Sequence, residues 1–388
     1  MQTMKNTGNG VKMKLKTLEL KGYKSIDGEG INMDFGDITV LLGANGAGKS
    51  NLISFFKLLN YMTTGSLQQF IGEHGYADSL LYYGSETTPR LQASISFEKK
   101  ESDKDTYDFV LSQASGGTLI FTEESLTWQN KGKKFPAKID LGAGHNESKL
   151  ADYTKKKEKN WKTSKFIHSL LYSCQVYQFH DTSSTAKIRN PGYVGDEQFL
   201  RSDAGNLAAF LYAMKNNEMT EKYYQRIVRH IQKILPQFGD FLLNPSQMNA
   251  NYIRLDWKER TKNYRFGPHQ LSDGSLRFMA LTALLLQPEK TLPNVIILDE
   301  PELGLHPYAI SSLAGMIRIA SKNCQIILAT QSPKLVDEFN SSEIVIIERD
   351  DKKQRSTFKR LNEDSLQEWI ERYSLSELWE KNVLGGRP

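Results

Sequence analysis

One stretch constrains this chain more than any other. An apolar run, Ile38–Leu42, leads directly into Gly43-Ala44-Asn45-Gly46-Ala47-Gly48-Lys49-Ser50, and Leu52, Ile53, Phe56 and Leu59 follow at helical spacing. G-x-x-x-x-G-K-[ST] between a strand and a helix has the form of a phosphate-binding loop. Glycines let the backbone curl so that successive N–H groups point inward at phosphate oxygens, and the helix N-terminus adds partial positive charge. Asn45, Gly46, Ala47, Gly48 and Asn51 form or flank this cradle. Lys49 is expected to reach the β- and γ-phosphates of ATP, and the Ser50 hydroxyl to bind Mg²⁺. The expected fold class is α/β, of the P-loop NTPase type.

The last third fits that frame. A helix Ser275–Leu286, a strand Val295–Leu298, a helix near Tyr308–Ile319, a strand Gln325–Ala329, a short helix from Pro333 and a strand Glu343–Glu348 alternate, and wholly apolar short strands argue for a buried parallel sheet. Val295-Ile296-Ile297-Leu298-Asp299-Glu300 ends in two carboxylates at the sheet edge where ligands of open α/β folds sit. Asp299 is expected to bind Mg²⁺ directly or through water, and Glu300 to orient or deprotonate an attacking water. Alone, such an ending is an ordinary solvated turn; beside a phosphate loop it reads as the acidic partner. Leu271-Ser272-Asp273-Gly274-Ser275 precedes an apolar helix, where Ser272 can cap and Gly274 permits close backbone approach.

Between these parts the pattern changes. Leu91–Phe97, Tyr107–Leu111, Thr118–Phe121 and Leu126–Trp128 alternate in the manner of an antiparallel meander over 91–128. A lysine-rich stretch at about 130–165 reads as an inserted loop and helix, and helical patterns dominate a lobe at about 200–290. Residues 1–14 read as a disordered lead-in, with the ATPase domain over 15–388. No apolar run approaches the roughly 20 residues needed to span a bilayer, so no membrane partner is expected and the expected location is cytoplasmic. Cys174 and Cys324 lie in apolar runs and read as buried thiols. The net charge of +5 is mild, but Lys149–Lys165 holds seven lysines. That run reads either as a solvated helix face or as a track for a phosphate backbone. Aromatics in Tyr252–Trp257 and Trp369–Trp379 suit core packing or base stacking.

The series GANGAGKSN, LSDGSLRF, ILDEPELGLHP and ATQSP resembles the ABC-type ATPases of the RecF, SMC and OLD (overcoming lysogenization defect) group. The opening LELKGYKSI resembles their N-terminal strand, and VYQFHDTSSTAKIR, LRSDAGNLAAFLY, STFKRL and YSLSELWEKNVLGGRP resemble stand-alone bacterial ATPases of that kind over nearly the whole chain. The resemblance implies an ABC-ATPase head with a mixed sheet, an antiparallel meander and a helical insertion. It implies that Lys24 and Ser25 approach the nucleotide. Ser272 and Gly274 would be offered to the γ-phosphate held by a second copy, in a homodimer or higher symmetric assembly that closes around two ATPs. Some positions depart from the transporter pattern: Asp273 stands where transporters usually have Gly, His306 falls at the position that communicates across the dimer, and Gln331 replaces the switch histidine. An amide can hydrogen-bond the γ-phosphate but cannot become cationic, which implies slower turnover. Gln178 and His180 are the candidates for the loop that supplies a metal-linked glutamine.

The biological role implied is DNA-linked. One reading is a nucleotide-gated subunit that scaffolds or restrains a separately encoded effector, expected to be a nuclease of Toprim or HNH type, in defence against phage or plasmids. No HNH-like histidine cluster or Toprim domain is found in the sequence. The alternative is a repair or maintenance ATPase that binds DNA directly. A transporter subunit is disfavoured by Gln331, by the signature and by the inserted meander.

Overall fold

The computed structural model describes residues 14–98, 104–129, 136–155, 161–262 and 264–386, apart from 364, 365, 367, 368 and 370. The lead-in up to residue 13 and residues 156–160 of the lysine run therefore lie outside the described residues. The chain divides into two compact units, Met1–Gln175 with Asn340–Pro388, and Val176–Phe339.

In the first unit a six-stranded antiparallel sheet runs in the order Ile31–Asp34, Lys14–Lys21, Arg90–Glu98, Lys104–Ala114, Thr118–Gln129 and Ala137–Asp140. Alternation puts Leu91, Ala93, Ile95 and Phe97 of one strand, and Tyr107, Phe109 and Leu111 of the next, on the buried face. The helix Lys49–Thr63 packs in the same core through Phe55 and Phe56, with Phe55 stacked on Phe109 at 6.4 Å between ring centroids. A second set of strands holds the phosphate loop. Ile38–Leu42, buried throughout, pairs in parallel with Ile344–Asp350, which pairs antiparallel with Arg355–Arg360.

The meander differs from its expected form at one point. Thr118–Phe121 and Leu126–Trp128 are not separate strands but the two ends of Thr118–Gln129. Its register against Lys104–Ala114 shifts between Val110 and Leu111, where Val110 faces Glu123 and Leu111 faces Phe121. The extra residue inverts the alternation: Leu119 and Phe121 point inward before the bulge, Glu124, Leu126 and Trp128 after it. The polar run Thr122–Ser125 hides this continuity in the sequence. It also buries a carboxylate. Glu124, only 1% exposed, accepts from the Tyr107 hydroxyl at 2.6 Å, from the Ser148 hydroxyl, and from the Lys149 N–H at 3.0 Å, with His145 at 3.5 Å.

In the second unit Val295–Asp299 and Gln325–Thr330 pair in parallel, Val295 opposite Gln325 through Asp299 opposite Ala329, and every residue of both strands is buried. The helix Pro307–Ser321 connects them. The lobe read as helical does hold Leu207–Lys215, Glu221–Ile234 and Asp273–Leu286, but it also contains a three-stranded antiparallel sheet of Phe238–Leu242, Asp256–Glu259 and Arg265–Phe266. Those strands are too short to show a period in sequence. They are held by aromatic pairing, with Trp257 opposite Phe266 and their rings stacked at 4.5 Å. Both cysteines are buried thiols outside any disulfide, and burial pushes the Cys174 thiol up to about 12. Among the described residues no helix is long and apolar enough to cross a membrane.

The bulge makes a prediction. Glu124→Leu strips a buried hydroxyl pair and a backbone N–H of their acceptor and should cost about 2–3 kcal/mol in urea unfolding, whereas Glu124→Gln, which keeps one acceptor oxygen, should cost less. Equal and small losses would contradict the inward placement.

Candidate nucleotide site

In the first unit the phosphate loop leaves Ile38–Leu42 and closes on the start of Lys49–Thr63. Gly48 has φ 120°, and a Cβ there would lie 2.3 Å from Ser356 Oγ and 3.0 Å from Ser25 Oγ, so both serines approach only because the residue is glycine. Ser356 Oγ donates to Ala47 O at 2.5 Å and lies 2.7 Å from Ser25 Oγ, from which it can accept, and Asn51 Nδ2 donates to Ser25 Oγ at 2.7 Å. Lys49 is 5% exposed, and its ammonium donates to Gly43 O at 2.6 Å and Ala44 O at 2.9 Å. The cation thus curls over the carbonyls of its own loop. Asn45, Gly46 and Ser50 are exposed, while Ala47 is buried under the loop.

Lys24 and Ser25 fall beside this loop. Lys24 takes a left-handed backbone, φ 49°, and its Nζ donates to Ser54 Oγ at 2.9 Å. Burial lowers its ammonium pKa, and the nearby Lys57 lowers it further. Lys24, Ser25 and Asn51 line an open cleft of about 340 Å³ together with Ser79, Tyr83, Arg349 and Gln354. Arg349 donates to Gln354 Oε1 at 2.8 Å and to the Tyr83 hydroxyl at 3.4 Å. That volume falls in the range of small-ligand sites, and two cations among polar groups suit an anionic, nucleotide-like guest. Sequence reasoning missed Ser79, Tyr83, Arg349 and Gln354, because they come from a helix, a loop and a hairpin that carry no motif.

In the second unit Asp299 closes its strand as a buried carboxylate. Gln178 Nε2 donates to Asp299 Oδ2 at 2.6 Å, and His180 Nε2 lies 2.9 Å from Asp299 O. Both candidates for the metal-linked loop therefore meet the acidic strand. Glu300 turns the chain with φ 41°, its N–H donating to Ala329 O at 2.9 Å, and its side chain is half-exposed. Glu302, further along, is buried and accepts from the Thr330 hydroxyl, and burial raises its carboxyl above the ordinary range. Gln331 follows Thr330 with its side chain half-exposed.

The segment around Ser272 has a built support that the sequence did not reveal. Ser272 is exposed and caps Asp273–Leu286 by accepting from the Ser275 N–H at 3.2 Å. A Cβ on Gly274 would lie 2.2 Å from Gly304 O, which places the start of this helix directly on the turn after the acidic strand. His306, exposed, caps Pro307–Ser321 through Nδ1, 3.3 Å from the Tyr308 N–H. Two arginines then collect carbonyls. Arg277 donates to Phe179 O at 3.0 Å, His180 O at 2.9 Å and Leu303 O at 3.1 Å. Arg189, 6% exposed, donates to Thr182 O at 2.6 Å, Leu271 O at 3.2 Å and Pro268 O, and pairs with Asp273 Oδ1 at 2.7 Å. Arg189 and Thr182 hold the Asp273 carboxyl below its ordinary range.

The donor chemistry suits magnesium. In the second unit the Asp299 carboxylate and the Gln178 amide offer hard oxygen donors, and among the described residues there is no group of three or more His, Cys, Asp or Glu that could hold a metal ion. Mg²⁺ is commonly bound by one or two carboxylates together with a substrate's phosphates.

Comparisons with known proteins bear on the fold. Residues 196–337 match a family described as "AAA domain, putative AbiEii toxin, Type IV TA system". The chain is 22% identical to the Retron Vc95 probable ATPase of Vibrio cholerae, over 87% of this chain and 74% of that protein. Among solved structures it is similar to an Smc head bound to the C-winged helix domain of ScpA, with TM-score 0.58, 16% identity, and coverage of 90% of this chain and 99% of that one. It is also similar to an Smc head domain with an extended coiled coil, bound to the C-terminal domain of ScpA derived from Pyrococcus furiosus. That match has TM-score 0.54, 16% identity and coverage of 92% and 99%.

Arg189→Ala would leave three carbonyls without their donor and should destabilise the protein by about 3 kcal/mol in urea unfolding. Arg189→Lys should recover little, because one ammonium cannot replace a planar fork of donors. Full stability of Arg189→Lys would show that the fork geometry is not what matters.

The chain has the P-loop NTPase fold of an ABC-type head and resembles the ATPases of the RecF, SMC and OLD group.

Proposed function

We propose that this chain binds and hydrolyses ATP with Mg²⁺ and works as a nucleotide-gated switch. The observation that carries the reading is Lys49. A buried ammonium parked on the carbonyls of Gly43 and Ala44, at the mouth of a strand–loop–helix unit, is poised to exchange those carbonyls for phosphate oxygens. Backbone N–H groups from Asn45 to Ser50 cradle the phosphates, and Lys24, Ser25 and Asn51 bind from the adjoining cleft. Ser50, Asp299 and Gln178 would hold the magnesium ion, which when bound neutralises charge on the phosphates. Glu300 orients and deprotonates the attacking water. Gln331 hydrogen-bonds the γ-phosphate without carrying charge, consistent with a switch that turns over slowly.

The working unit in this reading is a homodimer or a higher symmetric assembly. The exposed Ser272 at the N-terminus of a 14-residue helix, backed by Gly274, is offered to a γ-phosphate on a second copy, with His306, two residues after the Gly304 on which Gly274 packs, at the contact. ATP then favours the closed assembly and hydrolysis releases it. The state so gated controls a separately encoded effector, a nuclease being the expected class, in a toxin-like or defence system. The likeness to a retron probable ATPase over most of the chain, and to a family described as a putative AbiEii toxin, supports that setting.

Solution mass with Mg-ATP tests the switch. Glu300→Gln should keep ATP bound, slow turnover by about a hundredfold or more, and shift the chain to a dimer or larger symmetric species. Ser272→Arg in that background should retain ATP and abolish the shift. A Glu300→Gln chain that stays monomeric with ATP bound would sink the composite site for the isolated protein.

A further inference from the structure

The motif Gly385-Gly386 has no part in the roles above, yet its backbone reaches the phosphate loop. The helix Leu375–Glu380 opens with a reciprocal cap, the Glu377 N–H donating to Ser374 Oγ at 3.2 Å and the Ser374 N–H donating to the Glu377 carboxylate at 2.9 Å. It buries Leu378 and Trp379. The chain then reverses at Asn382, φ 59°, with the Val383 N–H donating to Leu378 O at 2.9 Å, and buries Leu384. Gly385 and Gly386 follow in the left-handed region, φ 81° and 75°. A Cβ on Gly386 would lie 2.8 Å from Ile346 Cγ2 and 3.3 Å from Ile347 O, so both conformation and space exclude a side chain there.

What this turn delivers is one carbonyl: Gly386 O accepts from the Ala44 N–H at 2.9 Å. The preceding residue is fixed from another direction, since a Cβ on Gly43 would lie 2.3 Å from Ile347 O. The carbonyls of the same two loop residues hold the Lys49 ammonium. The entry to the loop is therefore wedged between a strand, the catalytic-type lysine and the segment Leu384–Gly386.

We propose that Leu384–Gly386 is a strap that presets the phosphate loop for nucleotide, with Gly386 as a positioning residue for Ala44. The proposal rests on the nucleotide reading of this loop. A phosphate cradle works only when its later N–H groups converge, and that requires the first peptide after the strand to be turned away from the ligand. Pinning the Ala44 N–H to Gly386 O holds that peptide in place before ATP arrives, so less ordering is left for binding to offset. The strap acts on the loop's starting conformation and touches no reacting atom. Losing it should weaken nucleotide affinity and leave the chemical step alone.

The experiment compares the full chain, a chain ending at Leu384 and Gly386→Ala. It measures Mg-ATP affinity by calorimetry, kcat and KM by phosphate release, and hydrogen exchange at the Ala44 amide. Loss of one preset hydrogen bond corresponds to about a tenfold weaker Kd. Both variants should show that weakening with a matching rise in KM, kcat within about twofold of the full chain, and faster Ala44 exchange. Unchanged Kd in both variants overturns the strap, as does a fall in kcat with KM unmoved. Should the shortened chain not fold, Gly386→Ala decides alone. If the full chain itself fails to bind Mg-ATP, the nucleotide reading has failed separately, and the strap is then judged on exchange: an Ala44 amide equally unprotected in the full chain and in Gly386→Ala refutes it.

Discussion

The parallel pairing of Ile38–Leu42 with Ile344–Asp350 governs the geometry of the phosphate loop. With Leu42 opposite Ile346, the next residue, Gly43, comes against the carbonyl of Ile347. The hairpin partner Arg355–Arg360 then brings Ser356 under the loop, where its hydroxyl reaches Ala47 O and Ser25 Oγ. A slip of one residue in either pairing would send Ser356 to the other face and break this arrangement. The loop's curl is thus set by the backbone register of these strands, of which Ile38–Leu42 is buried throughout, and the few side chains that touch it act as stays.

The second unit follows the same logic with different materials. Asp299 and Glu300 leave the sheet at a fixed point because Val295–Asp299 pairs residue for residue with Gln325–Ala329, and the Glu300 N–H closes on Ala329 O. Around that point several loop carbonyls are buried without strand partners, and guanidinium groups satisfy them. Arg277 joins the Phe179–His180 loop to Leu303, and Arg189 joins Thr182 to Pro268, Leu271 and Asp273. Neutral carbonyl–guanidinium bonding satisfies polar groups that would otherwise cost about 1–3 kcal/mol each. It also links the loop carrying Gln178 to the helix cap at Ser272, so a displacement of one is felt at the other.

The parts of this arrangement legible in sequence are those whose chemistry is contiguous. The loop from Gly43 to Ser50, the strand ending Asp299-Glu300 and the cap Ser272 each declare themselves within a few residues, because one local geometry requires those residue types together. Gln178 was readable only as one of two candidates, and in the structure both it and His180 meet Asp299. What could not be read depends on distant segments meeting. The partners Arg189 and Asp273 stand 84 positions apart, and the cleft residues Ser79, Tyr83, Arg349 and Gln354 share no pattern. The bulge opposite Val110 and Leu111 is hidden for another reason: it inverts a two-residue period in mid-strand, so a continuous strand reads as two. The short sheet inside the helical lobe rests on the stacking of Trp257 and Phe266, a contact across a turn that leaves no period.

The central claim is that the loop from Gly43 to Ser50 is a nucleotide cradle with Lys49 as its cation. Equilibrium binding of Mg-ATP to the unaltered chain and to Lys49→Met tests it most directly, with circular dichroism confirming that both are folded. The account predicts saturable binding with one ATP per chain, weakened by about a hundredfold or more, some 2.7 kcal/mol, in the variant. Binding of equal strength in both chains would contradict it, because the ammonium held by Gly43 and Ala44 would then have no part in holding phosphate.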